Sequence, residues 1–142
     1  MGELDINPLI KACESLFKAL EFAKILESEF SDSIVYAEEG GRAAVIQHFE
    51  YTYELSWKIM KRYIELEDGK LDGFSNKTLL RIAGEKGLID DFHKWREFHK
   101  ARNLTSHTYD EEIASEVYDI AKEFAIYMKK LILGLEDKIK DL

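Results

Sequence analysis

Apolar side chains recur at steps of three and four residues along most of the chain, the period of helices that bury one face. Leu9, Cys13, Leu16, Leu20, Ala23, Leu26 and Phe30 form the first such stripe. Asn7 followed by Pro8 marks its start, because an N-cap side chain satisfies a free N–H and proline has none to lose in the first turn. The stretch SDSIVYAEEGG then breaks the period, and Gly40-Gly41 reads as a flexible joint. Val45, Phe49, Tyr53, Trp57, Met60 and Ile64 carry a second helix from Arg42 to about Glu67, a rod of about 39 Å at about 1.5 Å per residue.

The segment DGKLDG closes that rod, and Ser75 offers an N-cap for a short third helix that ends at Gly87. Asp90-Asp91 places acids at the positive end of a fourth helix, on which Phe92, Trp95, Phe98 and Ala101 lead to Leu104. The period stops in KARNLTSHTYDEE. Thr108 followed by Glu111 has the form of a capping box, and Ile113, Val117, Ile120, Phe124, Tyr127, Leu131, Leu135, Ile139 and Leu142 run on as the longest helix. Strand-like alternation is absent. The expected fold is therefore all-α, an up-and-down four-helix bundle with one additional short helix. It forms a single domain over residues 1–142, and the long apolar faces leave surface for a homodimer.

With 46% apolar residues, 142 residues are enough for one real core. The 20 basic and 28 acidic side chains give a formal charge of -8, which argues against sequence-independent binding of polyanions, since that runs on exposed Lys and Arg. Lys58, Lys61, Arg62, Lys94, Arg96, Lys100 and Arg102 still give the middle of the chain a local basic component. The single cysteine, Cys13, excludes an internal disulfide and reads as a small core residue. No signal-like N-terminus and no membrane-spanning stretch is present, so a soluble cytoplasmic protein is expected.

The polar break holds Arg102, Asn103, His107 and Tyr109. In a continuous helix Arg102 and His107 would point about 140° apart. Asn103, Thr105, Ser106 and Thr108 favour ending the helix near Leu104, and a turn there leaves room for the two side chains to converge. On spacing alone this has a plain alternative: Arg102 neutralises the carbonyl end of the fourth helix, His107 fills a turn, and Tyr109 packs over the next helix. His99, one turn before Arg102, is placed to assist a site or to lie at a surface. Phe49, Tyr51 and Tyr53 fit either the core or a platform for stacking a base. Trp57 and Trp95 read as core anchors. No metal or cofactor is expected: Asp90-x-x-His93 is a single incomplete approximation to a di-iron repeat, and no phosphate loop or nucleophile elbow occurs.

RNLTSHTY resembles the Arg-x4-His-x-Tyr motif of the HEPN superfamily, small helical proteins found beside minimal nucleotidyltransferases. AVIQHFEYTYELSWKIMKRY, LLRIAGEKGLIDDFHKW and RNLTSHTYDEEIASEVYDIA all look like its nucleotidyltransferase substrate-binding branch, over roughly residues 40 to 128. The resemblance implies a dimerising helical bundle and two roles. In the first, a toxin-like metal-independent endoribonuclease, His107 handles the proton, Arg102 stabilises charge on phosphorus, and Asn103 orients one of them. In the second, the chain is a non-catalytic accessory subunit that presents a substrate, RNA or nucleotide, to the transferase. The resemblance also makes Tyr109 the position at which a transferase partner of a toxin-antitoxin pair attaches AMP.

Overall fold

A computed structural model describes residues 4–29, 35–70, 73 and 75–140, apart from the side chains of 29 and 35–37. Among the described residues five α-helices follow one another: α1 (Asn7–Glu29), α2 (Val35–Asp68), α3 (Asn76–Glu85), α4 (Phe92–Leu104) and α5 (Glu111–Ile139), with a 3-10 turn at Thr105–His107 before α5. Phe30 and Leu142, assigned by sequence to the ends of apolar stripes, lie outside the described residues.

Three helix starts differ from the sequence expectation, each for a local reason. α1 starts with Asn7 itself: the Ile10 N–H already donates to the Ile6 carbonyl, and the Asp5 carboxylate accepts from the Asn7 N–H at 3.0 Å. Asn7 is thus helical, and its expected capping role falls to the residues before it. No joint forms at Gly40-Gly41, because α2 runs straight through both. Gly41 is buried where α1 crosses; a Cβ there would stand 2.8 Å from Leu26 Cδ1 and 3.5 Å from Ala23 Cα. The glycine allows close helix packing, which outweighs its low helix propensity. The α5 cap is Asp110 and not Thr108: the Asp110 carboxylate accepts from the N–H groups of Glu112 and Ile113 at 2.9 and 3.3 Å. Thr108 instead donates its hydroxyl to the Thr105 carbonyl, as the intervening 3-10 turn requires.

The other caps follow the sequence. The Ser75 and Asp91 side chains accept from Thr78 N–H and Lys94 N–H. At the end of α3 the Leu88 N–H returns to Ala83 O and the Gly87 N–H to Gly84 O, a Schellman closure with Gly87 at φ +76°.

Neighbouring long helices run antiparallel, α1 against α2 and α5, and α4 against α2 and α5. α2 and α5 touch across the centre and keep α1 from α4. Phe124 of α5 is the hub, with ring centroids 5.1 Å from Phe49, 5.8 Å from Trp95 and 5.2 Å from Phe98. Edge-on packing of this kind adds specific ring contacts to the area buried. Cys13 is buried on α1, and burial pushes its thiol up to about 11, which leaves it unreactive. Among the described residues no helix is long and apolar enough to cross a membrane.

Candidate functional site

The corner between α4 and α5 is built by residues that disfavour a continuing helix. Thr105, Ser106 and Thr108 each turn a hydroxyl back to a carbonyl three residues earlier, which tightens the end of α4 into the 3-10 turn. The chain reverses there. Asn103 and His107 are exposed, and Tyr109 is 84% exposed with its ring edge-on to His107 at 6.2 Å.

Arg102 points the other way, into the groove against α2, where its guanidinium is ion-paired with the Glu54 carboxylate. One turn earlier on α2, Glu50 accepts from the Thr105 hydroxyl, which also lies 2.7 Å from the Arg102 carbonyl. A hydroxyl has one proton, so these two acceptors share it. No hydrogen bond joins Arg102 to His107 among the described residues, although five positions separate them on one tight corner. An open cleft of about 520 Å³ lies beside the corner, with Arg42, Ile46, Glu50, Thr105, Thr108 and Tyr109 in its walls.

His99 is half-buried one turn before Arg102, with Nδ1 3.0 Å from the Tyr53 hydroxyl. Burial first, and then the Arg96 and Arg102 guanidiniums, hold it below the usual imidazole range. Tyr53 and Phe49 are buried in the core and offer no platform to a base; Tyr51 alone of the three is exposed. Trp95 is a core anchor, while Trp57 sits half-buried at the edge. No group of three or more His, Cys, Asp or Glu side chains suited to a metal ion occurs among the described residues.

Sequence reasoning missed the two carboxylates. Glu50 and Glu54 stand one helical turn apart, so they share the α2 face that meets Arg102 and Thr105. That spacing was the available signal, but nothing in α2 alone says which helix faces it.

Over 99 residues, 68% of this chain and 68% of the relative, the sequence is 39% identical to a Haemophilus influenzae protein named probable ribonuclease HepT. A solved Haemophilus influenzae structure, described as revealing the fold of a substrate-binding domain of a nucleotidyltransferase, is similar with a TM-score of 0.82 and 34% identity over 93% of this chain and 99% of that one. A Thermus thermophilus crystal structure is similar with a TM-score of 0.66 and 30% identity over 87% of this chain and 98% of that one. Residues 4–137 match the family described as nucleotidyltransferase substrate binding protein like, and the chain belongs to that family.

Proposed function

We propose that the chain is the HEPN partner of a separate minimal nucleotidyltransferase and acts as a metal-independent endoribonuclease at the α4–α5 corner. The observation that carries this reading is the tight 3-10 turn, which sets the exposed Asn103, His107 and Tyr109 on the same corner of the chain as Arg102. A relative named probable ribonuclease HepT supports it. His107 takes the ribose 2′-hydroxyl proton, O2′ attacks phosphorus, and the P–O5′ bond breaks. In a homodimer the corresponding histidine of a second copy returns a proton to the leaving 5′-oxygen. Arg102, always charged and able to hold two oxygens, stabilises the charge gathered on phosphorus, and Asn103 orients the phosphate.

This chemistry leaves a 2′,3′-cyclic phosphate. RNA carrying a single 2′-deoxyribose at the cleaved position tests it, because removing that hydroxyl removes the nucleophile. Cleavage in EDTA that persists at the deoxy position would sink the assignment; cleavage blocked there alone supports it.

Tyr109 serves as the acceptor of AMP from the transferase. Its exposure and its contact with the His107 ring support this role. An attached phosphate brings negative charge and bulk to the place an RNA phosphate must enter. A second reading, a non-catalytic subunit that presents substrate to the transferase, is favoured by the Arg102–Glu54 ion pair, which occupies the guanidinium.

A further inference from the structure

Beside the corner, α2, α3 and α4 share a hydrogen-bonded chain whose direction follows from its first donor. Arg96 Nη1 lies 3.1 Å from Asn76 Oδ1, and a guanidinium only donates. Asn76 therefore turns its amide nitrogen to the Tyr53 hydroxyl, 3.1 Å away. The Tyr53 oxygen accepts that bond, and among the described residues its own proton has no other acceptor than His99 Nδ1 at 3.0 Å. With Nδ1 accepting, the neutral imidazole of His99 carries its proton on Nε2. Burial pushes the Tyr53 hydroxyl up to about 12, so the donor persists at any physiological pH. Burial, and after it the Arg96 and Arg102 guanidiniums, hold His99 below the usual imidazole range, so that near neutral pH it stands as an N–H donor.

His99 lines an open cleft with His93, Arg96, Glu97, Lys100 and Asn103. Among the described residues the carboxylate in the cleft wall is Glu97, which faces the Lys94 ammonium at 3.3 Å. The Arg96 guanidinium is held by a neutral amide, and among the described residues neither Arg96 nor the exposed Lys100 has a carboxylate in an ion pair. A chain of formal charge -8 thus gathers two cations and a fixed N–H donor around one concavity, the composition that suits an anion with several acceptor oxygens. The cleft adjoins the corner: Arg96, His99 and Arg102 follow at three-residue steps, about 9 Å of helix from first to last. Asn103 belongs to both.

Resting on the endoribonuclease reading, we propose that this cleft is a second phosphate subsite. It holds the backbone phosphate next to the scissile one on a single-stranded RNA, with Arg96, Lys100 and His99 Nε2–H as donors.

The test is fluorescence anisotropy of the full chain with an uncleavable 2′-O-methyl single-stranded RNA across a salt series. Arg96→Ala and Lys100→Ala are compared with Lys122→Ala, which removes the same charge from α5; Lys100 is exposed, so its loss leaves the fold intact. Each of the first two is expected to weaken binding about 5- to 10-fold and to lower the log–log salt slope by about 0.7, the single-strand value per phosphate contact, with Lys122→Ala near wild type. Equal effects of all three substitutions, or no saturable binding by wild type, overturn the subsite. Binding that depends on Arg96 and Lys100 while wild type fails to cleave natural RNA supports the subsite and removes the nuclease reading. His107-dependent cleavage that is indifferent to Arg96 and Lys100 removes the subsite alone. Arg96-dependent binding of ATP without RNA binding overturns it in favour of a free nucleotide.

Discussion

The guanidinium of Arg102 on α4 is ion-paired with the carboxylate of Glu54 on α2, so the one motif cation at the corner is held by an acid of its own chain. The two side chains are 32% and 40% exposed, and a pair so open to water contributes under about 1 kcal/mol to stability. Its larger consequence is competition, because a phosphate must displace Glu54 to reach Arg102. Glu54→Gln is therefore expected to lose under about 1 kcal/mol in urea unfolding. It should bind single-stranded RNA several-fold more tightly, as anisotropy will read, since a fixed negative charge has gone from the groove. Weaker RNA binding by this variant would show that Glu54 positions Arg102 and does not compete for it.

Gly40 and Gly41 are neighbours in one helix with opposite surroundings. Nothing lies within 4 Å of a Cβ built on Gly40, whereas one on Gly41 meets Leu26 Cδ1 at 2.8 Å. Gly40→Ala is expected to stabilise by about 0.5–1 kcal/mol through helix propensity and a less free unfolded chain. Gly41→Ala makes the same gain but must displace a buried leucine methyl, and overpacking costs about 1–3 kcal/mol, so it should be neutral to destabilising. Urea midpoints of the two variants measure the difference. Equal stabilisation by both would mean that α1 does not cross α2 at Gly41.

These glycines also mark where the sequence stopped being legible. The apolar stripes and the caps at Ser75, Asp91 and Gly87 are local signals, and they located α3, α4 and the bundle. Glycine propensity is local too, and it read as a break because the crossing with Ala23 and Leu26 that favours Gly41 is tertiary. The α5 cap was misplaced by two residues since Thr108 and Asp110 are both good N-caps, and only the 3-10 turn between the helices decides between them. At the site, Arg102, Asn103, His107 and Tyr109 were legible as a polar break. Glu50, Glu54, Asn76 and Tyr53 were not, because each gains its role from a residue 20 or more positions away. Tyr53 was legible only as an aromatic at helical spacing; the destination of its hydroxyl needed the fold.

Stability should fall on mild acidification through His99. Its folded-state pKa lies below the unfolded value of about 6.5, so on lowering the pH the unfolded chain takes up the proton first. The stabilisation is complete above about 6.5 and is lost as the pH falls from there toward the folded pKa. Urea unfolding at about pH 7.5 and 5.5 should show a smaller loss for His99→Gln than for wild type. An equal loss in both would place the titrating group elsewhere.

Tyr109 should be the tyrosine that a nucleotidyltransferase partner modifies. It is 84% exposed, while the Tyr53 hydroxyl is buried in its hydrogen bonds. Incubation with the partner and ATP is expected to add one or more AMP masses to the peptide containing Tyr109, and Tyr109→Phe should abolish the addition. An active partner that leaves Tyr109 unmodified would count against the role.

Cleavage of single-stranded RNA in EDTA by the purified wild type, Arg102→Ala and His107→Ala proteins, each with an unchanged helical spectrum, tests the central claim most directly. Positioned acid–base catalysis contributes about 100- to 10,000-fold, so wild type should cleave and His107→Ala should lose at least about 100-fold. Arg102→Ala should lose a comparable factor through the charge it leaves unstabilised. Cleavage that survives either substitution would contradict the account, and a wild type that does not cleave while free of AMP would contradict it in favour of the substrate-presenting subunit.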